Sequence, residues 1–319
     1  MRKLFLFLFI ALFMSQAALA VTFDTVWVNH IRHSGQAYHA YCRFACFSLD
    51  TTKIIAAMDS TIYYLDLQTG NIIDSLEKPN GILADGYIVM SLNESRFASI
   101  LWDGRAVVWE DSSKKIIKTF DFDTINYILD VTAIALSPDG RYGLFGASVR
   151  SKDPPPYIKY YRLLIYDLNV DSVVKWINGS GYVQYVAYAP DGNSFVVSSG
   201  GSLTKYSTNG WQLDSILENN STSYYSYLSY SSDSKYLAGR KQDSAGNCYI
   251  WDNAADTLYK TYSYEKLGTS YGIINFSPDN QYLLFGGGYN GDLILCGHKS
   301  GISQMILQYI IRVYILRVV

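Results

Sequence analysis

The stretch Val131-Thr-Ala-Ile-Ala-Leu-Ser-Pro-Asp-Gly-Arg-Tyr-Gly-Leu-Phe-Gly-Ala-Ser148 decides the fold of this chain. Two apolar runs in it flank the tetrapeptide Ser137-Pro-Asp-Gly140. Proline at the second position of a turn has its φ already set, and glycine at the fourth position adopts a positive φ without steric penalty. A turn of this composition between two apolar runs predicts a hairpin of two antiparallel β-strands.

The same turn recurs along the chain. Its third residue is an acid or an amide, and the six copies place that residue at Asp50, Asn93, Asp139, Asp191, Asp233 and Asp279. Subtracting successive positions gives steps of 43, 46, 52, 42 and 46 residues, and the longest step contains the insertion Ser151–Tyr157. Four-stranded propeller blades repeat at about 40–50 residues. The spacing therefore predicts six such units.

A second landmark follows each hairpin. It is an apolar run that ends in a bulky residue, often with an acid after it, and its clearest copies end at Trp109, Tyr166 and Trp251. A short turn then leads into one more apolar run. Each unit thus predicts four antiparallel strands, which we name a, b, c and d in chain order.

The Ser-Pro-Asp-Gly turn and the strand end Ile250-Trp-Asp252 together resemble the WD-repeat β-propellers, over the range Val21–Cys296. The copies are degenerate, since Thr51 and Glu94 stand where a left-handed glycine is expected. The resemblance implies an all-β propeller of about six four-stranded antiparallel blades, of an exported bacterial type. A truncated seven-bladed form is the alternative.

The first 20 residues predict a signal peptide. Arg2 and Lys3 precede the apolar run Leu4–Met14, and Ala18-Leu-Ala20 is a small-x-small site for cleavage after Ala20. The apolar run is shorter than the roughly 20 residues that span a bilayer. We therefore expect export to the periplasm, the cell surface or the medium, with no transmembrane anchor after cleavage.

The predicted propeller occupies residues 21–300, and an apolar tail follows at residues 301–319. Thr22–Val28 alternates as a strand does and is suited to close the ring as a d strand. The tail is also rich in β-branched residues, so it is either a closing strand or a truncated terminus. The two segments compete for one closing position.

Composition and motifs argue against several functions. The net charge is −2, and Lys and Arg form no stripe, so nucleic-acid binding is disfavoured. The sequence has no nucleophile elbow, phosphate-binding loop or zinc motif, so it predicts no catalytic, cofactor or metal site. The favoured function is a non-catalytic interaction scaffold. A hydrolase or lyase with acids in the central channel, and a truncated functionless copy, are the alternatives.

The sequence also predicts where a partner docks. In a propeller the b–c and d–a connections emerge on one face, and the irregular connections of this chain all fall there. Pro155 and Tyr157 belong to the proline-stiffened insertion, and Tyr224 and Tyr225 end a stretch rich in Tyr, Ser and Asn. We expect these four residues to form part of a face that binds an unknown protein or glycan.

Overall fold

The structure is a computed structural model. It describes residues 42–48, 50, 52–58, 61–80, 83–120, 128–150, 159–179, 181–219, 222–242, 247–262, 272–277, 279–287 and 293–297. These residues form strands, turns and connections, and they contain no helix. The predicted all-β class is confirmed. Ala20, Thr22–Val28 and the tail 301–319 lie outside the described residues.

The strands form six antiparallel sheets, which we number 1 to 6 in chain order. Sheet 1 contains β1 (Cys42–Phe47), β2 (Lys53–Met58), β3 (Thr61–Asp66) and β4 (Ile72–Ser75). Sheet 2 contains β5 (Leu83–Met90), β6 (Arg96–Leu101), β7 (Ala106–Glu110) and β8 (Lys115–Phe120). Sheet 3 contains β9 (Ile128–Leu136), β10 (Tyr142–Arg150), β11 (Lys159–Asp167) and β12 (Ser172–Asn178).

Sheet 4 contains β13 (Val183–Tyr188), β14 (Ser194–Ser199), β15 (Ser202–Ser207) and β16 (Gln212–Asn219). Sheet 5 contains β17 (Tyr225–Tyr230), β18 (Tyr236–Lys241), β19 (Cys248–Asp252) and β20 (Thr257–Tyr262). Sheet 6 contains three described strands, β21 (Gly272–Phe276), β22 (Tyr282–Gly287) and β23 (Leu293–Gly297). In each sheet the strands lie side by side in chain order, as the predicted a-b-c-d unit requires.

The predicted turn is held by one recurring set of hydrogen bonds. In the best-formed copy the Ser137 hydroxyl donates to Asp139 Oδ1 at 2.6 Å and accepts from the Tyr142 amide at 2.8 Å. The Ser91–Asn93 and Ser231–Asp233 pairs repeat this arrangement. Ala189 replaces the serine in sheet 4, where Asp191 still accepts from the Asn193 amide at 3.0 Å. Serine and acid therefore cooperate to fix the a–b hairpin.

The residue after the acid or amide adopts the left-handed conformation in five described copies. Its φ is 74° at Gly140 and 75° at Gly192, where glycine carries no penalty, and it is 57° at Glu94, 59° at Ser234 and 55° at Asn280. Glu94 thus takes the geometry that the repeat reserves for glycine. The turn keeps its hydrogen bonds, since the Glu94 amide donates to the Ser91 carbonyl at 2.9 Å as the Gly140 amide does to the Ser137 carbonyl.

Neighbouring turns contact each other at one end of the sheets, which we call the turn end. The Asn93 amide donates to the Pro138 carbonyl at 3.0 Å, and the Asp191 amide donates to Ser234 Oγ at 2.9 Å. The opposite end carries the b–c turns and the d–a connections, and we call it the loop end.

The strand-end residues share a local irregularity. The c–d pairing shifts register at Trp109, Tyr166 and Trp251, and equivalent shifts occur beside Leu65 and Tyr206. A bulge of this kind bends the strand and increases its twist. The three predicted strand ends are all buried, and each contributes a large aromatic ring to the core.

Apolar clusters lie between each pair of consecutive sheets in the described part of the chain. Representative pairs are Tyr64 with Trp109, Phe120 with Phe145, Leu163 with Phe195, Leu203 with Trp251, and Ile250 with Ile274. The inner sheets therefore bury both faces, which explains why every residue of β14 is buried. The a strands of successive sheets contact one another, whereas the d strands are the most exposed.

Lysines cross the outer gap between several sheets. Lys118 Nζ lies 2.7 Å from Asp171 Oδ1, linking sheet 2 to sheet 3. Lys175 Nζ lies 2.7 Å from the Trp211 carbonyl oxygen, linking sheet 3 to sheet 4. Lys205 Nζ lies 2.8 Å from Asp256 Oδ1, linking sheet 4 to sheet 5. Each lysine reaches the c–d turn of the next sheet, so the sheets are joined by charge as well as by apolar packing.

Candidate partner-binding face

Four aromatic residues lie at the loop end of sheets 2 to 5, one on each sheet. Trp102 lies in the b–c turn of sheet 2 and is 66 % exposed. Tyr161 lies on β11, and Tyr182 and Tyr224 lie immediately before β13 and β17. We call Trp102, Tyr161, Tyr182 and Tyr224 the aromatic face. Trp102, Tyr182 and Tyr224 are exposed, and exposed apolar residues that cluster mark contact surfaces more often than single ones do.

Backbone hydrogen bonds fix the position of the three tyrosines. The Tyr161 carbonyl accepts from the Gly179 amide at 2.9 Å, and the Tyr182 carbonyl accepts from the Gly200 amide at 3.2 Å. The Tyr224 carbonyl accepts from the Gln242 amide at 2.8 Å. These bonds tie each d–a connection to a neighbouring strand or b–c turn, so the rings stand on ordered backbone.

Two glycines allow the connection before Tyr182 to lie close to the next turn. A Cβ on Gly181 would come within 2.7 Å of the Gly200 Cα, a distance at which the backbone would have to move. The Ser199 hydroxyl donates to the Gly181 carbonyl at 2.7 Å and holds the two segments together. As a result the Tyr182 ring packs edge-on against Tyr161, with 5.4 Å between the ring centroids.

An acid lies among these rings. Asp130 is exposed and sits beside the b–c turn of sheet 2, where the Val131 amide donates to the Gly104 carbonyl at 2.8 Å. Burial raises the pKa of the Tyr182 phenol, and the nearby Asp130, Tyr161 and Tyr224 raise it further. Asp130 therefore lies near Tyr182, whose phenol stays a neutral hydrogen-bond donor at neutral pH.

A charged pair borders Trp102. Arg105 and Asp103 approach to 2.7 Å, and the hydrogen bond from the Arg105 side chain holds the pKa of the Asp103 carboxyl below its ordinary value. The Arg105 guanidinium also donates to the Asn80 carbonyl. The rim of the aromatic face thus offers both signs of charge beside large apolar rings, a composition typical of surfaces that bind other molecules.

Tyr224 lies on the aromatic face, 37 % exposed, but the prediction for Tyr225 is wrong. Tyr225 is 0 % exposed. It is the first residue of β17, where successive side chains point to opposite sides, so its ring enters the interface between sheets 4 and 5. There it packs against Trp251 at 5.3 Å and donates its hydroxyl to Glu218. Tyr225 is a core residue that no partner can reach.

The predicted insertion residues Pro155 and Tyr157 lie outside the described residues. Sequence reasoning missed Trp102, Tyr182 and Asp130, which the structure places at the same end of the sheets as Tyr224. The one available signal was a tryptophan inside the short polar turn Trp102-Asp-Gly-Arg105, a position where burial is not expected.

The described residues contain no group of three or more His, Cys, Asp or Glu side chains arranged to hold a metal ion. Within the same part of the chain no helix is long and apolar enough to cross a membrane. Cys46 and Cys248 are free thiols, and burial raises the pKa of Cys46 to about 12.

No family model matches the sequence, and no curated protein is significantly similar to it.

Proposed function

We propose that this chain is an exported, WD-repeat-like β-propeller of six blades that serves as a non-catalytic scaffold and binds its partner on the aromatic face. Each sheet would be one blade. The propeller arrangement is supported by the packing of every sheet on its neighbours, with a strands innermost and d strands exposed.

The aromatic face is the observation that carries the binding proposal. Tyrosine and tryptophan provide large, rigid contact area at low cost in conformational entropy, and they dominate the energetics of many interfaces. Here such residues lie on four consecutive sheets, with Asp130 near Tyr182, and hydrogen bonds fix the backbone of the three tyrosines. A preorganised surface of this kind favours binding because little is lost on ordering it.

The test compares capture of a partner by matched variants of the full mature chain. Replacing Trp102, Tyr182 and Tyr224 together by alanine is expected to weaken capture from the exported fraction of the host by about tenfold or more. Tyr259→Ala is the matched control, because Tyr259 is an exposed tyrosine on the outer strand β20. Equal capture by wild type, triple variant and control would place the binding surface elsewhere.

The insertion provides a second arm of this test. Pro155 and Tyr157 remain predicted members of the same face, because a b–c connection of sheet 3 emerges at the loop end. Deleting residues 153–156 is expected to weaken capture without lowering the melting temperature. A deletion variant that captures the partner as wild type does would remove the insertion from the proposed face.

Export is part of the proposal and is supported by the signal-like segment 1–20. Cleavage after Ala20 leaves Val21 as the first residue of the mature chain. N-terminal sequencing of the protein from the exported fraction is expected to begin at Val21. An intact Met1 on soluble protein from the cytoplasm would refute the export proposal.

A further inference from the structure

A cavity of about 280 Å³ lies between sheets 3 and 4, at their outer, loop-end side. Its floor is aliphatic and comprises Leu163, Ile177, Val183 and Val197. It opens between the two outer strands β12 and β16. A cavity of about 150 Å³ holds a benzene molecule, so this one has room for any aliphatic side chain.

The lining of the cavity is uncharged, although a lysine links sheets 3 and 4 elsewhere. Lys118 and Lys205 cross the gaps on either side of it and end on carboxylates. Lys175 crosses the gap between sheets 3 and 4 at the turn end, where it donates to the carbonyls of Gly210 and Trp211. No charged side chain lines the cavity among the described residues. The cavity therefore favours an uncharged occupant, because a buried charge would have no partner there.

The lips of the cavity carry neutral hydrogen-bonding groups. Asn178 ends β12, Asn219 ends β16, and the Ser202 hydroxyl donates to Asn219 Oδ1 at 3.0 Å. Side-chain amides both donate and accept, so they match the amide groups of a polypeptide backbone. Aliphatic floor and amide lips together fit a peptide segment that presents one aliphatic side chain.

The strand beside the opening is suited to pair with such a segment. β16 is the last strand of its sheet, and its Leu213 and Ile216 line the cavity while remaining exposed to water. An extended peptide added to the edge of a sheet gains backbone hydrogen bonds, and alternate side chains enter pockets on one side. A peptide beside β16 would direct alternate side chains towards sheet 3, and so into the cavity.

The cavity is continuous with the aromatic face. Gly179 and Ser199 line it, and they bond to the Tyr161 and Gly181 carbonyls respectively. The Tyr161–Tyr182 pair therefore stands directly at its loop end. A molecule bound on the aromatic face can extend into the cavity without crossing another sheet.

We infer that the partner is a protein, and that an extended, uncharged segment of it pairs with β16 and anchors an aliphatic side chain in this cavity. The inference rests on the proposed function and names the chemistry of the partner at the same face. It favours a polypeptide over a glycan, because the floor and the exposed mouth residues are aliphatic.

The experiment pans a library of short random peptides displayed on phage against the full mature chain. Enriched peptides are expected to share an aliphatic residue with uncharged neighbours. Their affinity is expected to fall about tenfold or more for Leu213→Lys and to stay unchanged for Leu258→Lys. The two leucines are equivalent positions on β16 and β20, 57 % and 53 % exposed, and Leu258 does not line the cavity.

A second variant, Thr204→Phe, fills the cavity from β15 without adding charge and is expected to give the same loss. Thermal melts of all variants check that they fold. Absence of enriched peptides, or equal binding to both leucine variants, would overturn the inference. A glycan array tests the other class of ligand. If Leu213→Lys weakens binding of glycans on the array but not binding of the enriched peptides, the inference is also overturned.

The outcomes separate this inference from the proposed function. If partner capture depends on Trp102, Tyr182 and Tyr224 but not on Leu213 or Thr204, the aromatic face stands and the cavity inference fails. If capture depends on neither set, the proposed binding face fails as well.

Discussion

Trp251→Ala is expected to lower the free energy of unfolding by about 3–5 kcal/mol, the range for truncating a buried aromatic residue. The Trp251 side chain is 2 % exposed and lies in the cluster between sheets 4 and 5. Its ring packs edge-on against Tyr225, with centroids 5.3 Å apart, and also contacts Tyr249. Urea unfolding monitored by circular dichroism measures the change.

Trp102→Ala is the control for this substitution, because it removes the same side chain from an exposed position. Its effect on the free energy of unfolding is expected to stay within about 0.5 kcal/mol. Trp251→Ala is thus expected to change stability, whereas Trp102→Ala is expected to change binding alone. Equal destabilisation by both variants would contradict the assignment of Trp102 to the surface and Trp251 to the core.

Lys205→Ala is expected to lower the free energy of unfolding by about 2–3 kcal/mol. The substitution removes a buried ammonium group and leaves the nearby acids without their partner. Lys205 Nζ donates to the Asn253 carbonyl at 2.6 Å and to Asp256, and it lies 3.6 Å from Asp214. Both carboxylates keep some access to water, which holds the cost below that of a fully buried pair. Chemical denaturation again provides the measurement.

Lys235→Ala is the matched control for Lys205→Ala. Its side chain is mostly exposed and 4.0 Å from Asp233, so its removal is expected to change stability by less than about 0.5 kcal/mol. Lys205→Met adds a further comparison, since it keeps the buried stem and removes the charge alone. If Lys205→Met is as stable as wild type, the packing of the stem rather than the ion pair links sheets 4 and 5.

The sheets were predictable because their signals are local. A Ser-x-Asp turn spans only a few residues and predicts a hairpin by itself. In the structure the serine and acid side chains form the hydrogen bonds that hold the turn. The spacing of the turns then fixes the size of each unit. Glu94 is an exception to the turn pattern, because this glutamate adopts a left-handed conformation that favours glycine.

The candidate site was predictable only in part, because it is built from residues far apart in the chain. Tyr224 and Tyr225 are the same residue type and are adjacent in the chain. Because β17 begins at Tyr225, that residue is buried whereas Tyr224 is exposed. Trp102 and Tyr182 are single aromatics in short connections, so they leave no periodic pattern. The cavity is lined by residues of both sheet 3 and sheet 4, and sequence spacing does not reveal how closely these sheets pack.

The division of the apolar interior into separate clusters between sheets has a consequence for how such a chain changes over time. Each cluster draws on two successive sheets, so the damage done by a substitution stays at one junction, as in other repeat proteins whose units interact with nearest neighbours. One junction can contain a cavity while the others keep their packing. Degenerate copies of a repeat are then the expected product of evolution, and new binding sites arise at junctions without loss of the fold.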